Sequence, residues 1–231
     1  MRDENLLLAY LPEAERKRLD PFLKETMLEF QQVLIEPNEE IKEMYFPYDA
    51  ITSTIQQMSN GDSVETGLMG VEGFIGVQLW LHAPTTPTQT LVQIAGRAHQ
   101  MHASDFIRHV RDTESPLNEL CAKYSHAFLV MTSQTAACNR LHPVNERLCR
   151  WLKLVHNRLR RDDFPVQQEF IARMLGVHRP TVSIAANMLQ QAGLIKYSRG
   201  QMRILDADGL RNGSCECLEI IEKQFEKVFE R

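Results

Sequence analysis

Residues Val166 to Lys196 read VQQEFIARMLGVHRPTVSIAANMLQQAGLIK. Two helical patterns flank a tight turn at Leu175-Gly176-Val177. The first, Gln167 to Leu175, carries apolar Phe170, Ile171, Met174 and Leu175. The second, about Arg179 to Gln191, carries apolar Val182, Ile184, Ala185, Met188 and Leu189. Spacings of three and four put such residues on one helix face. Ala172 is small where two crossing helices would touch. Gly176 sits where the turn needs a positive φ, which a Cβ would oppose. The pattern predicts a helix-turn-helix, a motif that lays its second helix in the major groove of DNA.

Charge supports a nucleic-acid partner once the chain is divided. The net charge of the 231 residues is −4. Residues 1–143 hold 11 Lys and Arg against 19 Asp and Glu, residues 144–213 hold 12 against 6, and residues 214–231 hold 3 against 5. Positive charge thus gathers around the helix-turn-helix, as phosphate attraction requires. The chain is 43% apolar and 24% charged, ordinary for a globular protein. It shows no secretory signal and no apolar run near the roughly 18 residues of a membrane span. Five cysteines, an odd number, suit a reducing compartment rather than a disulfide framework. A cytoplasmic location without membrane contact is expected.

Working outward, Ile195 to Ser198 and Gln201 to Leu205 flank Arg199-Gly200 and predict a hairpin, or wing. A helical turn from Asp206 to Leu210 follows. A last amphipathic helix with Ile220, Ile221, Phe225 and Val228 lies in the tail, residues 213–231. Upstream, Val144 to Leu159 predicts a helix that buries Val144, Leu148, Trp151, Leu152 and Val155 and exposes Arg147, Arg150, Lys153 and Arg158. His142-Pro143 interrupts the helical pattern and sets a domain boundary, giving domains 1–142 and 143–212. Ser115-Pro116, an N-cap serine with proline at the first helical position, opens a long helix over about 115–140. Leu117, Tyr124, Met131 and Cys138 recur every seven residues, as do Leu120, Ala127, Gln134 and Leu141, which predicts a seam between two copies of the helix. Cys121, Phe128 and Val130 form a second stripe. Between Met27 and Met101 lie short β-branched or aromatic segments: Gln32–Ile35, Glu43–Phe46, Ala50–Gln56, Val64–Met69, Phe74–Leu81, Thr90–Ala95 and Arg97–Met101. Their spacing predicts an antiparallel roll. Residues 1–30 read as a helical lead-in, and Ala103 to Arg111 as a short helix. The fold class is α+β: an N-terminal antiparallel β-roll with a long dimerisation helix, then a winged helix-turn-helix.

This combination resembles the Crp/Fnr family of bacterial transcription regulators over about residues 20–210. The likeness is strongest at Ile171-Ala172, Leu175-Gly176-Val177, Arg179, Thr181-Val182-Ser183, Leu189, Gly193-Leu194-Ile195 and Ile204-Leu205-Asp206. It implies a homodimer on a two-fold-symmetric operator, with an effector site in a cyclic-nucleotide-binding-like roll. Arg179 corresponds to the family's guanine-reading arginine, whose planar fork matches O6 and N7. Ser183, one turn on, can reach a base edge. Gln167, Gln168, His178 and Thr181 correspond to positions that hold or border phosphates. Asn187 on the exposed face is placed to contact phosphate or base, and Lys196, Arg199 and Arg203 on the wing add backbone contacts. Pro180 and Ser183-Ile184 replace residues common in the family, so the operator should differ from its best-known consensus.

The effector pocket implied by the resemblance falls on Gly76, Val77, Thr86 and Thr88. Val77 stands where the family's ribose-binding glutamate would be, and no arginine lies in Thr85–Thr88 to hold a cyclic phosphate. The effector is therefore unidentified and not cyclic AMP, and no cofactor is expected. The first cysteine is Cys121, so the N-terminal cysteine cluster of oxygen-sensing members is missing. Cys215-x-Cys217 could be half of a metal site, but no histidine is near it in sequence. Cys121, Cys138 and Cys149 read as small buried residues, so no metal is assigned. A haem or metal role for His99, His102 and His109 is conceivable beside a surface role. No catalytic motif emerges. The expectation is a DNA-binding transcription regulator whose partners are double-stranded DNA, a second copy and, as a further candidate, RNA polymerase. The alternative is a small-molecule-binding module whose helix-turn-helix serves protein contacts.

Overall fold

A computed structural model describes residues 4–230. The chain opens with short helices α1 (Leu6–Ala9) and α2 (Glu13–Leu19). Asn5 is fully buried; its Oδ1 caps α1, and its Nδ2 donates to the carbonyls of Pro47 (2.8 Å) and Gly73 (2.7 Å). Strand β1 (Lys24–Leu28) follows, in place of the expected helical lead-in. It pairs with β7 (Gly96–His102), from Lys24 opposite Gln100 to Leu28 opposite Gly96. As an edge strand it buries only Leu28, so it lacks the apolar alternation that betrays a strand.

The roll is two antiparallel sheets. One has the order β1-β7-β3, with β3 at Glu43–Pro47 and β7 at Gly96–His102; the other has the order β2-β6-β4-β5, with β2 at Val33–Ile35, β4 at Ile51–Gln57, β5 at Ser63–Met69 and β6 at Gln89–Ile94. The expected segment Phe74–Leu81 is not a strand. Ile75 makes a single bridge to Tyr45, Gly76 turns the chain at φ +109°, and helix α3 (Val77–Trp80) follows. The ring of Phe74 fills the roll, 6.1 Å from Phe46, 5.9 Å from Phe106 and 5.2 Å from Tyr124. Helix α4 (Ala103–Phe106) runs into a wider turn over Ile107–Arg111.

Helix α5 (Pro116–Leu141) begins as expected, with Ser115 Oγ accepting from the Asn118 amide at 3.2 Å. Its packing differs from the expected seam. Leu117, Tyr124, Met131 and Cys138 are all buried within this one chain, beneath the roll and the C-terminal helix. Leu141 of the companion series is exposed. The heptad period is real, but its partner is the same molecule. The face left open carries His126, Leu129, Ser133, Ala136, Ala137 and Arg140, with Leu129 63% exposed.

Helix α6 (Val144–Leu159) is a second correction. Arg147, Arg150, Lys153 and Arg158, expected on the surface, are buried. The helix is wedged between the roll on one side and the helix-turn-helix on the other. The wing sheet, order β8-β10-β9, has β9 (Ile195–Ser198) and β10 (Gln201–Ile204), plus an unforeseen strand β8 (Asp163–Pro165) just after α6. Helices α7 (Gln168–Leu175) and α8 (Arg179–Gln191) form the helix-turn-helix, and α9 (Ala207–Asn212) and α10 (Cys217–Glu226) complete the chain. No helix of the described residues is long and apolar enough to cross a membrane.

Candidate nucleic-acid interface

The turn is built as its residues demand. Gly176 ends α7 at φ +59°, its amide donating to the Arg173 carbonyl at 3.2 Å, and Val177 N donates to Ala172 O at 3.0 Å. Phe170, Ile171, Ala172, Met174 and Leu175 are buried, as are Val182, Ala185, Ala186 and Leu189 of α8. Ile184 and Met188, expected in the buried stripe, are not: they stand 64% and 53% exposed. Ala186 takes the inward position instead, which rotates the apolar face and leaves two apolar side chains on the open side of the helix. Such side chains can meet thymine methyl groups in a major groove.

The open side starts with His178, Arg179, Pro180 and Thr181, all exposed. No side chain caps the N-terminus of α8. Pro180 has no amide N–H and the Thr181 amide donates to the His178 carbonyl at 2.9 Å, so what this end offers an anion such as a phosphate is chiefly the positive end of the helix dipole. Asn187 is exposed on the same helix, and Gln167 is exposed at the N-cap of α7. Ser183 is half-buried, and its hydroxyl donates to Gln168 Oε1 at 2.7 Å. The two therefore link α7 to α8. On the wing, Lys196, Arg199 and Arg203 are exposed, and Arg199 and Gly200 make the hairpin turn with positive φ at both residues. Arg203 is paired with Asp163 at 2.6 Å, which holds its guanidinium above the ordinary value.

The positive field is narrower than the residue count implied. Four of the 12 cations in 144–213 are buried in α6, while Arg203 and Arg211 are paired with Asp163 and Glu222. Arg173, Arg179, Lys196 and Arg199 remain exposed on the helix-turn-helix and wing. The sequence signal that could have shown this is the composition of α6, in which Arg147, Arg150, Leu154 and Arg158 share one stripe.

The motif is docked on the roll. Phe170 lies 6.2 Å from Phe30, and Arg147 donates to the Leu175 carbonyl at the end of α7. A cleft of about 820 Å³ separates the β4–β5 hairpin tip at Met58, Asp62 and Val64 from Arg173, Arg179 and Thr181. Beneath α7, Gln93 Nε2 bridges Glu65 (2.6 Å) and Met174 Sδ (2.8 Å), and Ser53 also donates to Glu65. Burial pushes the Glu65 carboxyl up to about 7, against the pull of Ser53, Arg150, Gln93 and Arg158. Between about pH 4.5 and 7 the unfolded chain gives up this proton and the folded chain keeps it. Stability therefore falls as pH rises through that window and levels off above it. Moving the carboxyl from 4.5 to about 7 corresponds to about 3 kcal/mol. Glu65→Gln should have a midpoint close to the parent's at pH 4.5 and a higher one at pH 8. Thermal melts at both values check this; an equal offset at both would remove the titration as its cause.

The effector residues implied by the resemblance are Gly76, Val77, Thr86 and Thr88. Gly76 packs against Met44, and Val77 and Thr86 are buried, with the Thr86 and Thr88 hydroxyls 2.9 Å apart. None of the four lines the cleft described above. Away from the interface, four potential metal ligands do come together: Cys138, His142, Cys215 and Cys217.

The architecture is thus a strand-rich roll joined through long helices to a C-terminal winged helix-turn-helix. Residues 146–212 match the family model of the Crp-like helix-turn-helix domain. The structure is similar to that of a protein described as a Crp/Fnr-family transcriptional regulator from Eubacterium rectale, at TM-score 0.66 and 15% identity, covering 90% of this chain and 97% of that one. It is similar to FixK2 from Bradyrhizobium japonicum at 0.64 and 13%, covering 84% and 98%. A CRP-family transcriptional regulator from Thermus thermophilus matches at 0.65 and 15%, covering 82% and 96%. No curated protein sequence matches the chain significantly. The protein thus has the Crp/Fnr regulator fold and carries a Crp-like helix-turn-helix domain.

Proposed function

We propose that the protein is a transcription regulator that binds a specific, two-fold-symmetric DNA sequence as a homodimer, under an effector other than cyclic AMP. The observation that carries this reading is the exposed N-terminal end of α8, where Arg179 stands at the positive end of the helix dipole with Lys196 and Arg199 exposed on the adjoining wing. Arg179 reads a guanine, Ile184 contacts an apolar base edge, and His178, Thr181, Asn187 and the wing cations hold the backbone. Ser183 acts through Gln168 as much as through a base. In this reading the second copy covers the open face of α5 around Leu129; the exposure of Leu129 and the burial of Leu117, Tyr124, Met131 and Cys138 within the chain support that choice. Dimer geometry then sets two recognition helices about one DNA turn, roughly 34 Å, apart.

The test is selection of bound sequences from a random pool, followed by gel shifts at two salt concentrations, with sedimentation equilibrium for the dimer. Binding should weaken steeply with salt. Arg179→Ala should lower affinity for the selected site by roughly 1–3 kcal/mol and relax preference at one base pair per half-site. Lys196→Ala should weaken all sequences alike and reduce the salt slope by about 1. Uniform loss across sequences in Arg179→Ala would remove it as a base reader. Salt-indifferent binding, or none, would favour the protein-contact alternative.

A further inference from the structure

We propose that Cys138, Cys215, Cys217 and Nδ1 of His142 form a tetrahedral zinc site that clamps α10 onto the end of α5. Cys138 lies in the last turn of α5 and His142 is the residue that caps it. Cys215 and Cys217 lie at the start of α10, more than 70 residues further along the chain. Cys138 Sγ and Cys215 Sγ are 3.5 Å apart, Cys217 Sγ and His142 Nδ1 are 3.4 Å apart, and all four donor atoms fall within 4.8 Å of one another. Zinc–sulfur bonds of about 2.3 Å and zinc–nitrogen bonds of about 2.0 Å give tetrahedral edges of about 3.5–3.8 Å. The donors are therefore already at the spacing of a single ion. All three cysteines are buried, and they form a cluster separate from the main hydrophobic core.

The surroundings suit a metal as well. His142 Nε2 lies 3.2 Å from a Glu216 carboxylate oxygen. A proton on Nε2 directs the Nδ1 lone pair at the sulfurs, the usual arrangement behind a histidine ligand. Gln134 Nε2 donates to Cys217 Sγ at 3.2 Å, an interaction that stabilises a thiolate. The buried guanidiniums of Arg147 and Arg150 lie within electrostatic reach of Cys138, and the Nε of each has no hydrogen-bond partner. Binding one divalent zinc to three thiols releases three protons and leaves a centre of charge −1. That negative charge faces the two buried guanidiniums, an attraction that three neutral thiols would not supply. The ion would fix the C-terminal helix beside the His142-Pro143 joint that leads into α6 and the DNA-binding domain.

Full-length, untagged protein purified anaerobically without chelator should contain about one zinc per chain by plasma mass spectrometry. Cys217→Ser and Cys138→Ser should lose it at least about tenfold, whereas His142→Cys, which keeps four donors, should retain it. If the serine variants fail to fold, cobalt(II) added to zinc-stripped parent protein still decides the matter. A tetrahedral thiolate spectrum with one-to-one stoichiometry supports the site. Absence of both zinc and that spectrum overturns it. So does iron with labile sulfide, or a Cys138–Cys215 disulfide in the anaerobic protein. None of these readouts depends on DNA binding, so the site and the regulatory function stand or fall separately.

Discussion

Glu72→Leu should destabilise the protein by about 3–5 kcal/mol, because it strands a buried guanidinium. Arg158 Nε donates to Glu72 Oε1 at 2.6 Å, with side-chain exposures of 6% and 9%. The guanidinium also lies 5.3 Å from the Phe225 ring centroid and bonds the Leu154 carbonyl at 3.2 Å. One ion pair thus ties the end of β5 and its loop to α6, with α10 laid over it. Removing the carboxylate leaves a buried cation without its ion-pair partner. Removing both charges leaves a smaller deficit, since a buried pair replaced by apolar groups of similar size is often nearly neutral. Urea unfolding should therefore give a large loss for Glu72→Leu and recovery of most of it in Glu72→Leu/Arg158→Met. Equal losses in the single and double variants would show that shape, not charge, dominates this joint.

Gly73→Ala should cost about 3 kcal/mol or more, at the upper end of what overpacking does. A Cβ at Gly73 would stand 2.1 Å from ring carbons of Tyr124. The ring has nowhere to retreat: it is fully buried between Phe74 at 5.2 Å, Phe225 at 5.8 Å and Phe128 at 6.2 Å. The Gly73 backbone cannot retreat either, because its carbonyl accepts from buried Asn5 and its amide donates to Gly70. The strain is specific to the pair, so the cost of Gly73→Ala should shrink by at least about 1 kcal/mol in a Tyr124→Leu background, as contacting residues in a double-mutant cycle do. Denaturation midpoints of the four proteins check this; strict additivity would place the strain elsewhere.

The helix-turn-helix was legible because its signals are local. Apolar spacing, a small residue and a turn glycine all lie within about 30 residues, and the chain there folds much as those signals say. Strands β2 to β7 were legible for the same reason, through turn residues and β-branched runs. Strand β1 was not, since an edge strand that buries one side chain leaves no periodic trace. Ile184 and Met188 fall on the wrong face in the sequence pattern because alternating small and large apolar residues in α8 fit two rotations of the helix. Only contact with α6 and α7 selects between them.

Of the candidate interface, the sequence indicated Arg179, His178, Thr181 and the wing cations, all of which the fold leaves exposed. It overstated the positive surface, because it could not tell that Arg147, Arg150, Lys153 and Arg158 are buried between the roll and the helix-turn-helix. A charged residue on an amphipathic helix is ordinarily solvated. Burial here depends on the helix's position between the roll and the helix-turn-helix and, for Arg158, on Glu72, none of which is encoded within the helix itself. Cys138 and His142 could not be joined to Cys215 and Cys217 by spacing, since the intervening chain is a whole helix-turn-helix domain.

The sequence by itself determined which segments are helix, strand and turn wherever period and punctuation agree, and from them the class of protein. The tertiary structure alone decided what each face meets: that the heptad series of α5 turns inward, that four cations are buried, and that four potential metal ligands share one corner. Periodicity reports that a face is apolar or charged within one element. The partner that covers the face is set by contacts between residues distant in the chain, and those contacts exist only after folding.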